Sequence, residues 1–155
     1  MKIAARLLSL MILVTVVTLY TGCSKDDPAP KSDSDVQIGL LNGTWNATEV
    51  KLDNVPQTGY DAFTLTIEGT EGQTSLDYVT SNRPEASAWG ANGTLKFGDN
   101  VKQTLIRDEN SPTAVTITYG VTETTLQMEF TYSGEPISRT KNVTGVWEFT
   151  FEKAN

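Results

Sequence analysis

Few side chains here can carry out covalent or proton-transfer chemistry. Among 155 residues there is no histidine and a single cysteine, Cys23. Without histidine the chain lacks the one side chain that ordinarily titrates near neutrality, and the commonest zinc ligand. One cysteine forms no disulfide within the chain. Asp108 and Glu109 are adjacent, and neighbours on a strand point to opposite faces, so they cannot cooperate as acid and base. With Asn110, Ser111 and Pro112 they read as a solvated hairpin turn. Asp26, Asp27, Asp33 and Asp35 are acidic, but their spacing fits no cation loop, and no glycine-rich phosphate loop is present. These absences predict a protein that is not an enzyme, with no cofactor and no metal. Cys23 is the exception, because a thiolate is a strong nucleophile. It directly follows an apolar run, which points to modification of the chain itself.

The elements around Cys23 fit that reading. Lys2 and Arg6 open the chain, and residues 7–20 are almost wholly apolar. The run is short for a membrane span and has the layout of a secretory signal, with a basic start, an apolar middle and a small-residue exit. The exit, Leu19-Tyr20-Thr21-Gly22-Cys23, resembles a bacterial lipobox. That resemblance implies a signal peptide over residues 1–22 and a lipidated Cys23 that anchors the chain in a membrane, each buried methylene contributing about 0.8 kcal/mol. Ser24-Lys25-Asp26-Asp27 is similar to the export tags of outer-membrane lipoproteins, a resemblance that implies the bacterial cell envelope, at the outer membrane and its outer face. Residues 23–39 are expected to form a flexible tether, since residues 24–35 hold no large apolar side chain. Just before the barrel, residues 35–41 form a candidate short helix, with Ser34 as cap and Val36, Ile38 and Leu41 as apolar contacts, weakened by Gly39. Beyond residue 22 there are 10 basic against 19 acidic side chains, a balance that repels phosphate backbones and excludes nucleic acid as a partner.

Residues 40–155 read as one all-β domain. Apolar residues alternate with polar ones, interrupted by turns every 8 to 15 positions. Phe63, Leu65 and Ile67 form the cleanest run. Leu76 and Tyr78, Leu95 and Phe97, Leu105 with Ile106 on the opposite phase, Val115, Ile117 and Tyr119, and Leu126 to Tyr132 follow, and Trp147, Phe149 and Phe151 close the series. In the opening strand Trp45 and Ala47 share one face and Val50 and Leu52 the other, so a β-bulge near Thr48 and Glu49 is expected. That makes eight strands. Gly43-Thr44-Trp45 and Gly145-Val146-Trp147 repeat one spacing at the two ends, which suggests first and last strands lying side by side and closing an antiparallel up-and-down barrel.

These features together resemble the small lipocalin-like lipoproteins of Gram-negative bacteria. The resemblance covers about residues 40–153. Gly43-Thr44-Trp45 is similar to the glycine-x-tryptophan motif of the first lipocalin strand, whose indole closes the narrow end, so Gly43, Trp45 and Trp147 form the barrel motif. Residues 89–97, from Trp89 to Phe97, look like the central segment of such domains. The chain departs from the family in two ways: no arginine follows the last strand to stack on Trp45, the only base there being Lys153, and the barrel is shorter than in typical ligand carriers.

The resemblance implies a binding module taking a small apolar or amphipathic ligand at the barrel mouth. Two loops form the candidate rim: residues 52–62, with Val55 and Tyr60, and residues 80–92, with Arg83 and Trp89. For Trp89 the other reading is simple burial in the core, and for Tyr60, Arg83 and Arg139 a surface role. Eight inward aromatics, Trp45, Phe63, Tyr78, Phe97, Phe130, Trp147, Phe149 and Phe151, are bulky enough to fill so small a barrel. The alternative is therefore a structural or accessory protein that contacts another envelope protein.

Overall fold

The computed structural model describes residues 30–84, 87–112, 114–133 and 143–155. The signal segment, Cys23 and Arg139 lie outside the described residues. A helix, α1 (Asp33–Leu41), precedes strands β1 (Gly43–Leu52), β2 (Val55–Pro56), β3 (Thr64–Glu68), β4 (Ser75–Ser81), β5 (Asn92–Phe97), β6 (Thr104–Arg107), β7 (Val115–Val121), β8 (Thr125–Tyr132) and β9 (Gly145–Lys153). From β3 onward each strand pairs with the next, β1 pairs with β3, and β1 also pairs with β9. All pairings are antiparallel. Eight strands thus close an up-and-down barrel, and β2 is an extra strand folded back on the end of β1. Closure leaves none of the eight with a free edge.

The seam between β1 and β9 runs from Trp45 opposite Lys153 to Leu52 opposite Trp147, and its register slips between Ala47 and Glu49. The slip is the bulge that the phase change in the sequence requires. It turns both Trp45 and Val50 into the interior, where both are buried. The two tryptophans therefore lie on neighbouring strands, at opposite ends of the barrel.

The β1–β2 turn is made by Asp53 and Asn54, both at positive φ (51° and 64°). That conformation suits a two-residue hairpin, and Asn and Asp tolerate it better than other side chains. Such a short return, with exposed Val55 and a proline, carries no alternation by which to recognise it.

Residues expected in the tether are helical. α1 begins at Asp33, with Ser32 as its cap: Ser32 Oγ accepts from Asp35 N at 3.1 Å. The expected start at residue 35 with Ser34 as cap is therefore two residues late, because a serine-aspartate run offers several caps and the acids suit the positive N-terminal end of a helix. The helix covers one end of the barrel with Ile38 and Leu41, both buried. Polar ties hold it there. Gln37 Oε1 accepts from Tyr119 Oη at 3.0 Å, Asp35 Oδ1 accepts from Gly72 N at 2.6 Å, and Asn42 exchanges two bonds with the backbone of Gly69, at 2.9 and 2.7 Å.

The same end is sealed by Trp45, whose Nε1 donates to Leu41 O at 2.8 Å. Lys153 Nζ lies 5.0 Å from the Trp45 ring centroid and donates to Leu40 O at 3.1 Å, so a lysine occupies the face of this indole. Gly43, at φ 125°, makes room for it: a Cβ there would stand 3.0 Å from Lys153 Cε.

Candidate functional site

The interior is lined by rings. All eight aromatics expected to point inward are buried, and Tyr60, Trp89, Tyr119 and Tyr132 join them. Phe149 is the hub. It packs on Tyr60, Phe63, Trp89, Phe130, Trp147 and Phe151 at centroid distances of 5.7 to 6.1 Å. Phe130, Trp147 and Phe151 lie nearly parallel to it because they project from adjacent strands or alternate positions of β9.

The barrel end away from α1 is where polar chemistry enters this apolar interior. Trp89 is completely buried beneath its loop, with its ring edge-on to Tyr78 at 5.2 Å and to Phe130 at 5.7 Å. Side-chain hydrogen bonds hold this part of the loop. Arg83 Nη1 donates to Trp89 O at 2.7 Å, Thr80 Oγ1 donates to Gly90 O at 2.8 Å, and Ser87 Oγ accepts from Trp89 N at 3.2 Å. Of the four rim residues read from the sequence, Tyr60 and Trp89 meet at Phe149, and Arg83 grips the backbone of Trp89. Tyr60 is buried, contrary to the surface role considered for it, because Phe63, Trp147 and Phe149 surround its ring. Val55 is 59% exposed on the β1–β2 hairpin and takes no part in this cluster.

The residue that the sequence reading missed is Arg107. It is 1% exposed, and its Cζ lies 5.0 Å from the ring centroid of Trp89, 5.1 Å from that of Phe130 and 5.8 Å from that of Tyr132. Burial pushes the guanidinium below its ordinary pKa, opposed by Tyr78, Asp108 and Tyr132. Among the described residues its nearest counter-charge is Asp108 Oδ2, 3.6 Å from Nε, beyond normal hydrogen-bond length. Asp108 is already engaged: it accepts from Tyr78 Oη at 2.9 Å and from Thr94 N at 2.9 Å. Burial pushes the Tyr78 phenol well above its ordinary pKa; Arg107 opposes that shift and Asp108 adds to it. Tyr78 therefore stays a neutral donor. Asp108 opens the turn, its carbonyl accepting from Ser111 N at 2.8 Å, but its carboxylate turns inward. At φ 52° it bends back over β5, while Glu109 does reach solvent, pairing with Lys96 at 2.8 Å.

Gly93 makes this return possible. A Cβ there would stand 2.7 Å from Tyr78 Cε1 and overlap Asp108 Oδ1. Gly93→Ala is expected to destabilise the domain by about 1–3 kcal/mol, as over-packing does, read as a lower midpoint in urea. An unchanged midpoint would show that Asp108 does not lie over β5.

Among the described residues, the wide grooves lie on the outer wall. One runs across β1, β7, β8 and β9 past Glu49, Lys51, Gln127, Glu129 and Glu148, about 470 Å³ in volume, and another, about 590 Å³, runs past Thr44, Thr66, Glu68 and Asp77. The chain matches no protein-family model and no curated protein.

Proposed function

We propose that this chain is a lipocalin-like lipoprotein of the bacterial cell envelope, a non-catalytic binding module held to the membrane through Cys23. It takes a small amphipathic molecule at the barrel end formed by residues 53–63, 87–91 and 108–112. One observation carries the ligand-binding part: a buried cationic donor, Arg107, stands within an aromatic wall, and its Nε and Nη1 find no hydrogen-bond acceptor among the described residues. Interiors built only for stability rarely leave such groups. The apolar run before Cys23 and its lipobox-like exit support the anchor. The ligand is small, because the rings around Phe149 already fill most of the barrel.

The test is native mass spectrometry of the protein extracted from the envelope in mild detergent. The expected spectrum shows the lipidated chain and a second population carrying one further small molecule. The lipid mass should vanish in Cys23→Ser, with the protein moving out of the membrane fraction. Extracts that hold only the bare lipidated chain under several growth conditions would count against a resident ligand.

A second reading, an accessory protein that contacts another envelope protein, draws on the packed interior and the groove on the outer wall. Crosslinking in whole cells separates the two, since an accessory protein gives one reproducible heterologous adduct and a ligand carrier does not require one.

A further inference from the structure

Three unanswered polar groups stand together inside the barrel, and every one is a donor. Trp89 Nε1, Arg107 Nε and Arg107 Nη1 are buried and find no hydrogen-bond acceptor among the described residues. The other two indoles differ: Trp45 Nε1 donates to Leu41 O at 2.8 Å and Trp147 Nε1 to Val143 O at 2.7 Å. The same side chain is thus satisfied twice by backbone carbonyls and left open once, beside a buried guanidinium. Asp108 does not fill the gap, because its Oδ2 stands 3.6 Å from Arg107 Nε, beyond hydrogen-bond length.

Resting on the binding reading above, we infer that the ligand carries a carboxylate, which accepts from Arg107 and Trp89. A carboxylate is acceptor-only, with about four lone-pair sites on two oxygens, and a site made of donors lacks just such a partner. Its bonds to a guanidinium are charge-assisted and roughly twice as strong as neutral ones. A doubly charged oxyanion fits less well, since Asp108 lies 3.6 Å from Arg107 Nε and repels a second negative charge. The remainder of the acid meets Trp89, Phe130 and Tyr132, the rings around the guanidinium, so a short aliphatic or aromatic acid suits the place. The carboxylate has two possible sources, a free small acid or the end of a longer amphiphile.

The test uses the ¹⁵N-labelled full chain in detergent and follows its indole N–H signals during titration with propionate, benzoate and octanoate at constant ionic strength. One indole signal, the one missing in Trp89→Phe, should move downfield and saturate, while those of Trp45 and Trp147 stay in place. Arg107→Met and Trp89→Phe should each weaken binding about 10-fold or more, the loss expected for a charge-assisted or buried hydrogen bond. If Arg107→Met does not fold, the wild-type titration and Trp89→Phe decide alone. Saturation by propionate and benzoate points to a free small acid, and saturation by octanoate only points to a lipid end. An equal shift with chloride, or no shift with any carboxylate, overturns the assignment. Should envelope extracts carry a ligand while no carboxylate moves the indole, the carboxylate falls and the binding function stands.

Discussion

Replacing Phe149 by alanine is expected to cost about 4–5 kcal/mol, the upper end of the range for removing a buried phenylalanine. The reason is position. Phe149 is 1% exposed and touches six other rings, so its removal opens a cavity whose walls are aromatic and anchored on closed strands, with little freedom to collapse. Aromatic pairs add about 0.5–1.5 kcal/mol each beyond area burial, and several are lost at once. In a domain of this size the change lowers Tm by roughly 15–20 °C. Phe149→Leu keeps most of the volume and should cost about 1–2 kcal/mol. Urea unfolding checks both: a reduced midpoint at unchanged slope marks a stability change in an intact fold. A loss below about 2 kcal/mol for the alanine variant would mean that the rings do not form one packed cluster.

The features legible in the sequence were those with a period. Alternation over Phe63, Leu65 and Ile67 and over Trp147, Phe149 and Phe151 placed strands and their inner faces. The phase slip after Ala47 placed the bulge, and the paired Gly-x-Trp motifs anticipated the seam between β1 and β9. Features set by tertiary contact were not legible. Asp108 sits in a run that looks like any polar hairpin, and only the proximity of Tyr78 and Gly93 bends it inward. Arg107 was in principle readable, since it lies two positions beyond Leu105 and so shares its inward face. Arginine is rarely buried, so the period alone does not single it out as an interior residue. Trp89 could not be placed from its loop, because burial of an indole depends on the space left by other strands. The start of α1 was obscured by a run of serines and aspartates in which several residues can act as cap.

The pair of buried Arg107 and partly exposed Asp108 at the barrel mouth leads to the other large effect. Asp108→Ala is expected to destabilise the domain by about 3 kcal/mol, the lower end of the range for leaving a buried charge without its partner. It strips the guanidinium of its nearest counter-charge and leaves Tyr78 Oη and Thr94 N without their acceptor. Arg107→Met should behave in the opposite way. The guanidinium is buried among Trp89, Phe130 and Tyr132 with two unsatisfied nitrogens, so an apolar side chain of similar length removes a desolvation penalty and should be neutral or stabilising by about 1–3 kcal/mol. In the double variant the charge imbalance is gone and only the two lost hydrogen bonds remain, leaving a deficit of about 1–2 kcal/mol. With Arg107→Met neutral, the double variant should therefore be more stable than the sum of the singles by about 1–2 kcal/mol, within the 0.5–3 kcal/mol range for contacting residues. Additive singles would show that Asp108 does not compensate Arg107. A strongly destabilising Arg107→Met would mean that the guanidinium is held for stability, whereas a neutral or stabilised variant leaves binding as the reason for keeping a cation in an aromatic interior.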